Sequence, residues 1–220
     1  MTRRGAAPAS EARIPAPGRD APRVILWDVM DTLVREPFWV EMPAFFGLSP
    51  EAFRAEIHPT RWIEFEHGWI DEETYLRDLF RDGRAFDHAA FRAAVREAYA
   101  WLPGVEALLA GLRRGGHAMH ALSNYSLWYR AIEGRLALSR FLQWSFVSCD
   151  TGLRKPAPEA FRLPCRRLGL LPSDCLLIDD REENCAAARA EGLDAIRFAG
   201  ARALGPELER RGLGPGPPRT

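Results

Sequence analysis

The most regular feature of the chain is an exchange between short apolar runs and amphipathic stretches. Val24-Ile25-Leu26-Trp27 is apolar at every position, follows Pro22 and stops at Asp28. A β-branched run this short, with polar residues at its end, predicts a strand covered on both faces. The same pattern predicts strands over Ala118–Leu122, Ser145–Cys149, Cys175–Ile178 and Asp194–Phe198. Between them lie helical patterns. Val105, Leu108, Leu109 and Leu112 follow the i, i+3, i+4, i+7 spacing and stop at Gly115-Gly116. Asn184–Glu191 is Ala-rich and closed by Gly192. Pro158–Leu168 reads as a helix in which Pro164 predicts a kink. Strands that alternate with helices predict an α/β fold with a parallel, doubly wound sheet.

Residues 38–102 break this alternation with helical pieces alone. Ser49 is an N-cap before Pro50, and that helix runs to Ile57. Asp71–Phe80 opens on Asp-Glu-Glu, and Asp87–Tyr99 continues the pattern. Residues 1–22 carry Pro8, Pro15, Pro17 and Pro22 and no apolar periodicity, so a disordered leader is expected there. The Gly/Pro-rich end from Gly212 is expected to fray. The domain reading is therefore a core over 23–37 and 103–208, a helical insertion over 38–102, and a tail over 209–220.

Composition narrows the function classes. Thirty Lys+Arg balance thirty Asp+Glu, which gives no electrostatic case for nucleic acid or an anionic membrane as a partner. No apolar run approaches the roughly 20 residues of a membrane span. Cys149, Cys165, Cys175 and Cys185 form no CxxC pair, and the five histidines show no ligand spacing. The cysteines read as reduced fillers and the histidines as structural or exposed. The expected compartment is the cytoplasm, or a plastid or other organelle if the Arg-rich start serves as a transit peptide. Oligomeric state is not legible.

The chemistry is concentrated at predicted strand ends. One strand ends Asp28-Val-Met30-Asp31-Thr32, the next Ser123-Asn124, and a later one Asp179-Asp180; Lys155 lies in Gly152-Leu-Arg-Lys-Pro156. Open parallel sheets bind ligands at the carboxyl ends of their strands. Each cluster alone is an ordinary turn signal; together they suit phosphoryl transfer. A carboxylate such as Asp28 attacks phosphorus, and magnesium brings it and a phosphate dianion together. Asp28 with Asp180, helped by Asp179, supplies oxygen ligands. Lys155 neutralises the phosphate, and Thr32, Ser123 and the Asn124 backbone offer hydrogen bonds to it. Tyr125, Trp128 and Tyr129 follow closely enough to reach a ligand, Tyr125 first among them.

These motifs, in this order, resemble those of the haloacid dehalogenase (HAD) superfamily. The resemblance implies a doubly wound Rossmann-like core with an inserted α-helical cap where residues 38–102 lie. It also implies an aspartyl-phosphate on Asp28, a magnesium site that includes the Met30 backbone carbonyl, and a small phosphomonoester as substrate. A finer resemblance, carried by Asp28–Val34, Met42–Ser49, Trp62–Glu66, Ser123–Tyr125 and Gly152–Pro156, is to the plant chloroplast flavin mononucleotide (FMN) hydrolases. It implies FMN as a possible substrate.

One position departs from the phosphatase pattern. The Asp expected two residues after the nucleophile is Met30, and a thioether moves no proton. Asp31 stands beside it as a candidate acid, or as a cap of the following turn. Dehalogenases of the superfamily also lack that Asp, so halide displacement is a rival, as is a catalytically weak phosphate- or flavin-binding protein. The Asp179-Asp180 pair favours the metal and the phosphate.

Overall fold

The computed structural model describes residues 24–214 and Gly216. The predicted leader lies outside the described residues. Among those described, no helix is long and apolar enough to cross a membrane.

The architecture is a parallel α/β sheet with an inserted helical cap. Strands β1 (Val24–Trp27), β2 (Ala118–Ser123), β3 (Gln143–Val147), β4 (Cys175–Asp179) and β5 (Asp194–Arg197) form one sheet in the order β3-β2-β1-β4-β5. Every pairing is parallel. Strand β1 is central, which explains its unbroken apolar sequence: both faces are covered. Its side chains still alternate. Ile25 and Trp27 join the cluster that includes Met119, Ala121, Leu176 and Ile178 and runs on into the cap. Val24 and Leu26 join the other, with Phe161, Cys175 and Leu177.

In register, Trp27 lies opposite Ala121 of β2 and Ile178 of β4, so the three strands reach their carboxyl ends together. The Asp28 N–H extends the ladder by donating to Ile178 O at 2.9 Å. That alignment places Asp28, Ser123 and Asp179 at one edge.

The cap helices form where local signals start them. The Pro50–Glu56, Glu72–Arg77 and His88–Ala98 helices are capped by Ser49, Asp71 and Asp87, whose side chains accept from Ala52 N, Thr74 N and Ala90 N. Two further short helices, Glu41–Phe45 and Arg61–Glu66, complete the insertion. Phe38, Phe53, Phe65, Phe80 and Phe91 are buried in one continuous core with Tyr75 and Trp128. The ring planes of Phe65 and Tyr75 lie within 9° of parallel, with centroids 4.7 Å apart.

Some details differ from the sequence pattern. The third strand ends at Val147, because Ser148–Thr151 winds into a helical turn. Hydroxyls drive that turn: Ser148 Oγ donates to Glu66 O at 2.6 Å, and Thr151 Oγ1 donates to Val147 O at 3.1 Å. The Ala-rich helix starts at Glu182, which puts Glu182 and Glu183 in its first turn. The Pro158–Leu168 helix runs through Pro164, whose side chain is buried. Near the C-terminus, Leu213 is buried in the core and Gly216 N–H donates to Gly111 O at 3.1 Å. Part of the segment expected to fray is therefore packed.

Candidate active site

The strand ends converge on Lys155. Its ammonium lies 2.7 Å from Asp28 Oδ1 and 2.6 Å from Asp179 Oδ2, and all three residues are buried. Burial works against that ammonium, but the two carboxylates outweigh it and hold the Lys155 pKa above its ordinary value. Asp28 is pushed up to about 7, first by burial and then by Asp179 and Asp180; Lys155 pulls the other way. Burial and Asp179 also raise Asp180.

Thr32 ties two loops together. Its hydroxyl donates to Asp28 Oδ2 at 3.1 Å and accepts from Asp180 N at 3.1 Å. Asp179 Oδ1 accepts from Arg181 N and from Asn184 Nδ2, both at 3.0 Å. Asn184 thus fixes Asp179 from the first turn of its own helix. The side chain of Asn124 clamps the Lys155 backbone: Nδ2 donates to Lys155 O and Oδ1 accepts from Lys155 N, both at 2.8 Å.

The donor set fits a hard divalent cation. Asp28, Asp179 and Asp180 each offer a carboxylate oxygen, all within 4.8 Å of one another. Three carboxylates face one lysine; burial first, and the neighbouring carboxylates after it, raise Asp28 and Asp180. The Asp180 carboxylate takes no hydrogen bond among the described residues, so it is free to ligate. Oxygen-only donors of this kind suit magnesium.

A cavity of about 190 Å³ opens beside this cluster. Asp28, Met30, Asp31, Asn124, Lys155 and Asp180 line it from the core. Phe38, Trp39, Trp62 and Glu66 line it from the cap side, and Glu36 stands at the junction. Glu66 is buried and ion-paired to Arg154 at 2.7 Å, across the cap–core boundary. Burial nevertheless pushes Glu66 up to about 7. The boundary continues at His67, whose Nδ1 is 3.1 Å from Gly152 O.

Among the residues singled out from the sequence, Asp28, Met30, Asp31, Asn124, Lys155 and Asp180 meet at this cavity. Asp179 and Thr32 stand directly behind them. Ser123 is buried at the end of β2 with no hydrogen-bond partner for its hydroxyl among the described residues. Tyr125 does not line the cavity. It is buried, and its hydroxyl sits 2.9 Å from that of Tyr99. Asp31 has a positive φ of 54°, and its Oδ1 accepts from Glu36 N at 3.1 Å. Sequence reasoning missed Glu36, which looks there like a solvated charge before a proline. Trp39 and Trp62 were visible only as members of a crowded aromatic segment.

The comparisons agree with this architecture. The chain is 42% identical over 190 residues to the chloroplast flavin mononucleotide hydrolase 1 of Arabidopsis thaliana, covering 86% of this chain and 78% of that one. A HAD family enzyme of Bacteroides thetaiotaomicron, solved with magnesium and inorganic phosphate, superposes with a TM-score of 0.62 at 18% identity, over 82% of this chain and 96% of that one. The L-2-haloacid dehalogenase of Xanthobacter autotrophicus superposes with a TM-score of 0.60 at 17% identity, over 86% and 82%. Residues 22–192 match the haloacid dehalogenase-like hydrolase family. With its parallel sheet, inserted cap and strand-end Asp28, this chain belongs to that family.

Proposed function

We propose that the protein is a magnesium-dependent phosphomonoesterase that works through an aspartyl-phosphate on Asp28, with FMN as a substrate. The observation that carries this reading is the cluster of Asp28, Asp179 and Asp180 around a single buried lysine. Halide displacement calls for no such excess of carboxylate. A phosphate dianion does, through the cation that the carboxylates hold.

When bound, magnesium would supply positive charge that offsets the phosphate charge beside Asp28. Asp28, Asp180 and the Met30 carbonyl are the residues that would hold it, with Asp179 supporting. Asp28 attacks phosphorus with the carboxylate that Thr32 and Lys155 orient. Lys155 favours the ionised form of that carboxylate and meets the phosphate charge. The Ser123 hydroxyl, buried behind the cavity wall and without a partner among the described residues, is a further candidate donor to a phosphate oxygen. Trp39, 39% exposed at the cavity wall, offers a face on which an isoalloxazine ring stacks. Support for FMN also comes from the identity to the Arabidopsis hydrolase, which extends over cap and core.

The test is product release by the full-length protein given FMN, sugar phosphates and 2-haloacids, each with magnesium or with EDTA. Magnesium-dependent phosphate release, abolished in Asp28→Asn, is the expected result. Metal-independent halide release overturns the reading, as does ligand binding without turnover.

A further inference from the structure

The missing proton donor at Met30 has a structural replacement. The geometry points to Glu36 as the general acid and base of the phosphatase reaction, placed from the core–cap junction instead of from the strand-end loop. This inference rests on the phosphatase reading above.

Three observations carry it. Glu36 lines the same cavity as Asp28, Met30, Lys155 and Asp180. It is held there from both sides: its N–H donates to Asp31 Oδ1 at 3.1 Å, and its Oε1 accepts from Phe38 N at 3.0 Å. Among the described residues it also has no cationic partner. Of the other cavity carboxyls, Asp28 is paired to Lys155 and Glu66 to Arg154. Asp180 belongs to the cation cluster, and Asp31 is exposed to water.

The surroundings of Glu36 favour its neutral form. Burial pushes it up to about 8, and Asp31, Glu66 and Asp28 add to that despite the Phe38 N–H. The hydroxyls of Tyr75, Tyr99 and Tyr125 also lie within its field; burial first, and Glu36 after it, raises all three, so they remain protonated. A carboxyl that stays protonated near neutral pH is the form a leaving alkoxide needs.

The steps balance. Asp28 forms the O–P bond while the ester P–O bond breaks, and the departing oxygen takes the Glu36 proton. Glu36, now a carboxylate, then accepts a proton from the water that attacks phosphorus. The P–O bond to Asp28 breaks, its electron pair returns to the Asp28 carboxylate, and inorganic phosphate leaves. Asp31 is then a positioning residue that fixes the Glu36 backbone.

The experiment compares Glu36→Gln with wild type, with magnesium, on FMN and on p-nitrophenyl phosphate. FMN has an alkoxide leaving group that needs a proton; nitrophenolate does not. Glu36→Gln is expected to lose roughly 10²–10⁴-fold in kcat on FMN. On the aryl ester it should keep a burst of about one nitrophenolate per enzyme, followed by slow turnover. Glu36→Asp should recover part of the FMN activity. The alkaline fall of wild-type activity near pH 8 should vanish in the Gln variant. Equal loss on both substrates without a burst makes Glu36 structural and overturns the assignment. So does unchanged activity, or this pattern in Asp31→Asn but not in Glu36→Gln. A wild type that releases no phosphate from either ester overturns the phosphatase reading itself, and the Glu36 role falls with it.

Discussion

Asn124 and Lys155 hold each other by two hydrogen bonds of 2.8 Å, from the amide side chain of one to the backbone N–H and C=O of the other. The ammonium that binds Asp28 and Asp179 is therefore aimed by a residue at the end of a different strand. Asn124→Ala leaves two backbone groups without partners, at a cost of about 1–3 kcal/mol for each one that stays buried. The expected outcome is a lower denaturation midpoint together with a kcat reduced at least tenfold. Unchanged kcat in a destabilised variant would show that Lys155 keeps its aim without Asn124.

Removing the ammonium itself is a harsher change. Lys155→Met leaves Asp28 and Asp179 buried without their cation. Breaking a buried pair in this way costs roughly 3–5 kcal/mol. Magnesium replaces part of the lost positive charge. The variant should therefore gain more stability from added magnesium than wild type does, as measured by urea unfolding with and without EDTA. Equal magnesium responses in the two proteins would contradict the shared-charge account.

The pH dependence has a defined sign. Asp28 at about 7, Glu36 at about 8 and Glu66 at about 7 all lie above their unfolded values of 3.8 to 4.5. Between those limits the folded chain binds protons that the unfolded chain has released. Stability without metal should therefore fall as pH rises from about 5 to 8. A bound cation favours the ionised Asp28, so magnesium should raise the melting temperature more at pH 8 than at pH 6. A metal-free melting temperature that climbs over this range would contradict the assignment of buried, proton-holding carboxyls.

The cap–core boundary has its own test. Gly68 has a φ of +72°, and a Cβ there would lie 2.4 Å from Cys149 O, a backbone atom. Gly68→Ala carries both strain and a clash, so a loss above about 2 kcal/mol is expected. Gly47 has a similar φ of +68° with nothing among the described residues within 4 Å of a Cβ. Gly47→Ala should cost only about 1–2 kcal/mol, the left-handed penalty alone. Equal losses in parallel melts would remove the contact from the explanation.

Much of this was legible before any coordinates. The strand ends at Asp28, Ser123 and Asp179 announced themselves because an apolar run that stops on polar residues has few other uses. Ser49, Asp71 and Asp87 declared their helices through capping chemistry that acts within four residues. What stayed hidden depends on distant partners. Glu36 differs from a solvated glutamate only through the cap that folds over it. Tyr125 follows the Ser-Asn pair closely in sequence, yet Tyr99 draws its hydroxyl into the core. The Ser148 turn depends on a carbonyl at Glu66, 82 positions earlier.

The tight approach of Gly68 to Cys149 bears on traffic through the cavity. Where no methyl group fits between cap and core, no ligand passes at that point. The most exposed wall residues are Asp31, Trp39 and Arg181, and they mark where the cavity meets solvent. Under the proposed phosphatase reading, substrate and both products would share that opening. Phosphate lingering at Lys155 would block the next arrival, so the proposed turnover would be subject to competitive inhibition by its own product.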